Sequence, residues 1–266
     1  MSYIMYYMEK DIYLYTSGEK TNSQLRELGG WKNKKVLAFS PHADDLSIAA
    51  GGFLHMLSQG NKVQPVLGFT GWRGVNSGLA KEVAIAVREK EMMVEAKVLE
   101  LQPPILLRLL SYENTDELSQ DKDSLAVEEM INQEQPEIIF LPSQGDSQPR
   151  HRALTNYVRQ AVQLCGLSVV MVYYETPWSL FAADQINLLV PLDKRVMVRK
   201  TKAIKAHMSQ IARTDFAKIS RTMLEYRALT IPEQIVGGFG SQTDLGKWME
   251  VYQIRNYKEE QWASKE

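Results

Sequence analysis

Three side chains that can bind a metal or a proton follow a short apolar run near the start of the chain. The run Val36–Phe39 is typical of a buried parallel strand, and Pro41 ends it in an extended turn. His42, Asp44 and Asp45 come directly after it. Open α/β sheets bind ligands beyond the carboxyl ends of their strands. We therefore expect these three side chains to lie at a functional edge of a sheet.

Imidazole nitrogen and carboxylate oxygen are ligands of catalytic zinc sites, which leave one position for water. A second carboxylate that stays off the metal can take a proton from that water. A structural role is the alternative, because an aspartate after a strand often caps the next helix and a histidine in a loop can be a surface residue. The strand before these residues and the helix predicted over Ile48–Leu57 favour a functional role.

Composition sets the class of protein. The 266 residues fit one large α/β domain or two small ones, and a net charge of −1 gives no bulk attraction to nucleic acid or to an anionic membrane. Cys165 is the single cysteine, which excludes an internal disulfide; its apolar surroundings predict a core residue. No apolar run reaches the roughly 18 residues of a membrane helix, and no signal peptide is recognisable, so we expect a cytoplasmic protein.

Strand and helix patterns alternate along the chain, which predicts an α/β, Rossmann-like fold with a mostly parallel sheet and helices on both faces. Pro65 predicts an edge position or a strand start for the second strand, and the polar segment 111–122 predicts a long functional loop. Further strands are expected at 63–69, 105–110, 137–141, 168–174, 187–191 and 248–255, and helices at 80–101, 123–134, 151–165 and 193–213.

Two further expectations concern organisation and packing. Residues 1–30 are interpreted as an N-terminal extension, either an added strand or a packing arm, and 31–266 as one domain. Helix 80–101 is expected to bury an apolar face, while Arg88 and Glu91 share a face near its middle. The apolar face consists of Val83, Val87, Met92, Ala96 and Leu99.

Five motifs in order resemble those of the LmbE/PIG-L family over about residues 35–255. PHADD, which begins at Pro41, is similar to that family's PHPDD motif, and Arg88 with Glu91 to its RxxE motif. The segment from Pro142 to Arg152 corresponds to its HPDHR motif, residues 202–210 resemble its K..A...H.SQ segment, and residues 249–252 its closing strand. Members of this family are zinc-dependent enzymes that remove the acetyl group from N-acetyl amino sugars and related conjugates.

The resemblance implies roles for individual residues. His42, Asp45 and His151 would bind one Zn²⁺ per chain, and Asp44 would be the general base. The implied partner is an amino sugar or glycoconjugate, with no nucleic acid and no membrane.

The chain departs from the family within the HPDHR segment. Gln148 stands where the family has a histidine that helps to polarise the carbonyl, and Arg150 replaces its aspartate; Leu46 replaces an acidic residue that often follows the aspartate pair. A glutamine amide can still donate a hydrogen bond, but it carries no positive charge, so Gln148 remains a catalytic candidate.

Four other candidates each have a structural alternative. Arg88 suits a sugar hydroxyl or a phosphate, or forms a plain salt bridge with Glu91. His207 either reaches the site or caps a helix, and Asp146 either orients a ligand or forms a turn. Arg73 lies in a glycine-rich loop and could contact substrate. Nearby rings could stack on a sugar or belong to the core or to a contact between copies of the chain: Trp72, Tyr112, Trp178 and Phe181.

Three hypotheses for the function of the chain remain. The leading hypothesis is a zinc hydrolase that removes an N-acetyl group, and the second is a catalytically weakened metal- or sugar-binding protein with the same fold. A nucleotide-binding Rossmann protein is disfavoured, because no GxGxxG follows the first strand and Gly51 and Gly52 lie inside a predicted helix. The sequence leaves the oligomeric state open.

Overall fold

A nine-stranded mixed sheet organises the part of the chain that the computed structural model describes, namely residues 13–15, 25–27, 31–75, 78–235 and 246–256. The strands are β1 (Tyr13–Tyr15), β2 (Leu25–Glu27), β3 (Lys35–Ser40), β4 (Lys62–Leu67), β5 (Ile105–Leu106), β6 (Ile138–Pro142), β7 (Val170–Tyr174), β8 (Leu188–Leu192) and β9 (Trp248–Asn256). Their order in the sheet is β2-β1-β8-β9-β7-β6-β3-β4-β5, and the pairings among β3, β4, β5, β6 and β7 are parallel.

Helices cover both faces of this sheet, which confirms the predicted α/β class. The helices are α1 (Asp45–Ala49), α2 (Gly51–Ser58), α3 (Lys81–Leu99), α4 (Glu117–Glu134), α5 (Pro149–Leu164), α6 (Lys194–Ile204), α7 (Met208–Ile211) and α8 (Phe216–Ile235). Alternate residues of β3 enter two separate cores: Leu37 and Phe39 face α4 and α5, whereas Val36 and Ala38 face α2, α3 and α6. Among the described residues, no helix has the length and apolar content required to cross a membrane.

The two strands of the N-terminal segment pair at one edge of the sheet. β1 runs antiparallel to β8, and β2 runs antiparallel to β1. The other residues of segment 1–30 lie outside the described residues, and the division into an extension and one domain stays a prediction.

Two sequence expectations about the parallel half of the sheet are wrong. β4 is not an edge strand, because it lies between β3 and the two-residue β5; Pro65 is tolerated because β5 pairs only with Val66 and Leu67. The expected loop over 111–122 is shorter, since α4 already begins at Glu117. The Asp116 side chain caps that helix by accepting a hydrogen bond from the Ser119 N–H at 2.9 Å.

The C-terminal third also differs from the expectation. The helix predicted over 193–213 is two helices, α6 and α7, separated at His207, whose backbone has φ −84° and ψ 64°. The long α8 was not predicted at all. In α3, Val83 is 48% exposed, while Arg88, Glu91 and Glu95 are buried at the i, i+3 and i+7 positions of one helix face. The inward face of α3 is therefore partly charged.

A buried ion pair connects α6, α2 and β9. Lys200 Nζ lies 2.7 Å from Glu250 Oε1 and donates to the Ile48 carbonyl at 2.8 Å. Glu250 also accepts the N–H groups of Gly52 and Phe53, at 2.8 and 2.7 Å. A Cβ at Gly52 would lie 2.6 Å from Leu192 Cδ1 and 2.9 Å from Glu250 Oε1, so both side chains would have to shift to admit any other residue. The backbone N–H groups at the start of α2 are thus already bound to a carboxylate of the protein. In a phosphate-binding turn these groups would be open to the ligand.

We expect Lys200→Met to lower the free energy of unfolding by about 3–5 kcal/mol, because Glu250 would remain buried without its cation. Burial lowers the pKa of Lys200, and Glu250 only partly opposes that shift. Urea denaturation measures the change. Lys202→Met, at an exposed position of the same helix, is the matched control, and should stay within about 0.5 kcal/mol of the unchanged protein. Equal stability of the two variants would contradict a charged Lys200–Glu250 pair.

Candidate metal centre

The carboxyl ends of β3 and β6 bring three ligand-type side chains together. His42 and Asp45 follow β3, and His151 lies in the first turn of α5 after β6. One ligand atom from each of the three lies within 4.8 Å of those of the other two, so that this group, the metal triad, could hold a metal ion. β3 and β6 are paired neighbours in parallel, which is why residues 106 positions apart in sequence, 151 minus 45, meet here.

Asp45 lies between the two imidazoles. Its Oδ2 atom is 3.2 Å from His42 Nδ1 and 3.3 Å from His151 Nε2. The same oxygen accepts the His42 backbone N–H at 2.8 Å, which fixes the carboxylate at the start of α1. Burial by itself raises the pKa of the Asp45 carboxyl, but the charges and hydrogen bonds of His151 and His42 outweigh it and hold that pKa well below its usual value.

Asp146 positions the third member of the triad. It is fully buried, its Oδ2 atom lies 3.0 Å from His151 Nδ1, and it accepts hydrogen bonds from Thr176 Oγ1 and the Gln148 N–H, each at 2.8 Å. The Asp146 carboxylate is therefore behind His151, where it turns Nε2 towards Asp45, and not at a surface open to substrate. Histidines that bind a metal usually donate their other ring N–H to a carboxylate in this way.

The pKa of His151 has a consequence for metal binding. Burial lowers it, but the charges of Asp45 and Asp146 raise it to about 10. A histidine binds a metal only through an unprotonated ring nitrogen, so binding of a metal at His151 has to displace a proton.

Two of the three separations between ligand atoms of the triad fit a tetrahedral metal, and the third is at most 4.8 Å. Metal–ligand bonds of about 2.0–2.1 Å imply about 3.3 Å between neighbouring ligand atoms. The two separations that join Asp45 Oδ2 to the imidazole nitrogens, 3.2 and 3.3 Å, agree with that value. Two nitrogens and one oxygen are also a donor set that zinc favours, with a position left for a fourth ligand.

The Asp44 side chain does not cap the helix that follows it. It occupies the N-cap position of α1, but its side chain makes no capping hydrogen bond; instead its Oδ1 accepts a hydrogen bond from an Arg88 Nη. Burial alone lowers the pKa of the Arg88 guanidinium, yet Asp44 and Glu91 raise it overall, so this buried arginine is charged. Arg88, which lies in α3, therefore holds the Asp44 carboxylate in place beside the triad.

Arg88 keeps hydrogen-bonding capacity of its own. Its Nε and second Nη are buried and make no hydrogen bond among the described residues, although that second Nη lies 3.6 Å from Glu91 Oε2. The ion pair with Glu91 that the sequence suggested is present, and a contact of Arg88 with substrate stays a prediction.

His207 lies behind Arg88 in a buried polar chain. Its Nε2 is 2.6 Å from Glu95 Oε2, and its Nδ1 is 3.9 Å from Glu91 Oε2. Glu91 in turn accepts the backbone N–H and the hydroxyl of Ser209, each at 2.7 Å. His207 therefore connects the break between α6 and α7 to the Arg88 face of α3, and its side chain caps neither helix.

The remaining candidates surround the triad less tightly. Gln148 is the exposed N-cap residue of α5, and its side chain makes no capping hydrogen bond. Arg73 is 55% exposed; its guanidinium lies 5.5 Å from the ring centroids of Trp72 and Tyr112 and 3.2 Å from Glu113. Of the other aromatic candidates, Phe181 is buried in the core and Trp178 is 55% exposed.

Sequence reasoning did not identify Glu95, Lys200 or Glu250. The spacing of Arg88, Glu91 and Glu95 at one helix face was a signal for Glu95. Lys200 and Glu250 are 50 residues apart, and only the tertiary structure pairs them.

The family model described as PIG-L: GlcNAc-PI de-N-acetylase matches residues 37–162, the segment that holds the triad, Asp44 and Arg88. The resemblance to the LmbE/PIG-L family is confirmed over these residues. No curated protein sequence matches the chain.

Solved structures share the fold. The N,N′-diacetylchitobiose deacetylase from Pyrococcus horikoshii, complexed with its inhibitor, has a TM-score of 0.63 at 24% identity over 85% of each chain. The 4-carboxy-2-hydroxymuconate hydratase from Pseudomonas putida KT2440 has a TM-score of 0.66 at 16% identity, over 83% of this chain and 95% of that one. The zinc-inhibited form of a teicoplanin deacetylase has a TM-score of 0.63 at 16% identity, over 82% and 97%. At these identities the comparisons establish architecture alone, and one of the three neighbours is not named as a deacetylase.

Proposed function

We propose that the PIG-L-type domain identified over residues 37–162 makes this chain a zinc-dependent hydrolase that removes an N-acetyl group from an amino sugar or a glycoconjugate in the cytoplasm. The observation that carries the proposal is the metal triad with Asp44 beside it, held by Arg88. The deacetylase names of two structural neighbours support the choice of an acetamide as the scissile group.

His42, Asp45 and His151 would hold the Zn²⁺. When bound, the metal supplies a Lewis acid for the acetamide carbonyl and lowers the pKa of water to about 7. Asp146 keeps the His151 ring oriented for that task.

Asp44 is assigned the proton transfers. Arg88 engages its Oδ1, which leaves Oδ2 to take a proton from the attacking water. The water oxygen bonds to the acetyl carbon, the C–N bond breaks, and Asp44 gives the proton to the departing amine. The second proton of the water stays with the acetyl group, so acetic acid and the free amine of the sugar are the products; transfer of that proton to the amine in solution gives acetate and an ammonium ion, and atoms and charge balance.

Gln148 is assigned the hydrogen bond to the developing oxyanion, since a glutamine amide can donate one from the start of α5. Arg88 Nε and its second Nη are the candidate donors to substrate oxygens. His207 acts through Glu91 and Arg88 as a positioning residue.

A second candidate function is a metal- or sugar-binding protein with weak catalysis. The exposed, neutral Gln148 favours it, because the loss of one oxyanion donor typically costs about 10²–10³ in rate. This candidate predicts that metal and amino sugars bind without release of acetate.

Release of free amine from a panel of acetamido sugars tests the proposal. The panel comprises N-acetylglucosamine, N,N′-diacetylchitobiose and N-acetylmuramic acid, with amines detected by fluorescamine. We expect turnover of at least one member that EDTA abolishes and added Zn²⁺ restores. Metal binding without amine release would support the second candidate, and amine release unaffected by EDTA would contradict a metal-dependent reaction.

A further inference from the structure

Arg150 is a half-buried cation that pairs with no carboxylate among the described residues. Its guanidinium carbon lies 5.9 Å from the Phe69 ring centroid and 5.7 Å from that of Tyr112, and one Nη donates to the Tyr112 carbonyl at 3.1 Å. The two ring faces and this bond fix the guanidinium plane, which keeps the side chain ordered before any ligand binds.

The same two rings border the metal triad. The His42 ring centroid lies 6.3 Å from that of Tyr112 and 6.5 Å from that of Phe69. Arg150 is also the residue before His151, in the first turn of α5. Its guanidinium is therefore one aromatic ring away from the ligand His42.

Other cations add to the positive charge around Tyr112. Arg73 lies 5.5 Å from the Tyr112 ring centroid, and Lys81 lies near the neighbouring Trp72 ring. Arg73 and Lys81 share a single carboxylate, Glu113, at 3.2 and 3.0 Å. Arg150 lacks such a partner in the described part of the chain, so it is the cation of this group that is left for a ligand.

We infer that the acetamido substrate carries an anionic group, a carboxylate or a phosphate, which binds to Arg150 with Arg73 at the outer rim. The inference rests on the proposed function and names its substrate class. A guanidinium with free N–H groups binds either oxyanion in a bidentate manner. Asp44 and Glu91 do not oppose this, because Arg88 lies between their carboxylates.

Selectivity between anionic and neutral acetamido sugars is the measurement. We compare kcat/KM for N-acetylglucosamine-1-phosphate, for N-acetylmuramic acid, whose charge is a carboxylate, and for neutral N-acetylglucosamine. We expect at least one anionic sugar to exceed the neutral sugar by tenfold or more. Arg150→Gln should lower that ratio by about 10–100-fold, chiefly through KM, and Arg150→Asp should lower it further. Whichever anionic sugar shows the larger loss identifies the group as phosphate or carboxylate.

Arg199→Gln is the matched control, since it removes the same charge from an arginine that pairs with Glu100, beyond the far end of α3. Glu100 lies 12 residues after Arg88, about 18 Å along the helix direction. The selectivity ratio of this control should equal that of the unchanged protein. An unchanged ratio in Arg150→Gln, or equal turnover of charged and neutral sugars by the unchanged protein, would overturn the inference.

Calorimetric binding of the amine products separates this inference from the proposed function. Glucosamine-1-phosphate or muramic acid, whose charge is a carboxylate, should bind at least tenfold more tightly than glucosamine, and Arg150→Gln should remove the difference. If no acetamido sugar is hydrolysed but this difference is found, the proposed hydrolysis fails and the anion site stands. Equal binding of all three amines would overturn the anion site whatever the outcome of the hydrolysis assay.

Discussion

Asp44→Asn is expected to lower kcat by about 100-fold or more while the metal stays bound. General acid–base catalysis by a positioned carboxylate contributes typically 10²–10⁴ in rate, and the substituted amide accepts no proton. Asp44 is outside the metal triad, and its Oδ1 bonds to Arg88, so the three ligand side chains keep their positions. Single-turnover amine release measures the rate, and elemental analysis of the same preparation measures the bound metal.

The matched control for this variant is Asp193→Asn. Asp193 caps α6 by accepting the Val196 N–H at 2.8 Å, a role that asparagine fills equally well, so kcat should not change. Circular dichroism checks that Asp44→Asn remains folded despite the altered partner of the buried Arg88. A folded, metal-loaded Asp44→Asn variant with unaltered kcat would remove Asp44 from the proton-transfer role.

His151→Ala is expected to weaken zinc binding by more than about 100-fold and to abolish amine release. Even the loss of an outer partner of a ligand costs about 10–100-fold in affinity, and the loss of a ligand costs more. Asp146→Asn should show that smaller loss of zinc affinity, because Asp146 contacts the His151 ring and is not itself a member of the triad. Competition with a chromogenic chelator measures both affinities.

His55→Ala is the control for a histidine outside the triad. His55 lies in α2 with its Nδ1 3.1 Å from the Leu99 carbonyl, and its replacement should leave zinc affinity unchanged. Zinc affinity in His151→Ala equal to that of His55→Ala would show that the ligand assignment is wrong.

Much of the fold was predictable from the sequence because local patterns decide it. The apolar runs at Val36–Phe39 and before Pro142 became central parallel strands, since residues apolar on both faces need helices on both sides. The placement of His42, Asp44 and Asp45 at the carboxyl end of β3 followed from the same rule.

What the sequence did not reveal depends on tertiary contacts. The inward face of α3 is stable as a charged face only because His207, Ser209 and Asp44 arrive there from other elements. The break between α6 and α7 coincides with the contact of His207 with Glu95, which no local pattern encodes. Asp146 was a loop residue in the sequence, and only its distance to His151 shows what it orients.

The rate of amine release as a function of added zinc tests whether the reaction depends on zinc bound by this chain. Protein freed of metal by chelation is titrated with Zn²⁺ at fixed substrate, and occupancy is measured in each sample by elemental analysis. We expect the rate to rise in proportion to bound zinc up to one equivalent per chain. A rate that is independent of occupancy, or the absence of any zinc binding by the folded protein, would contradict a zinc-dependent hydrolase built on His42, Asp45 and His151.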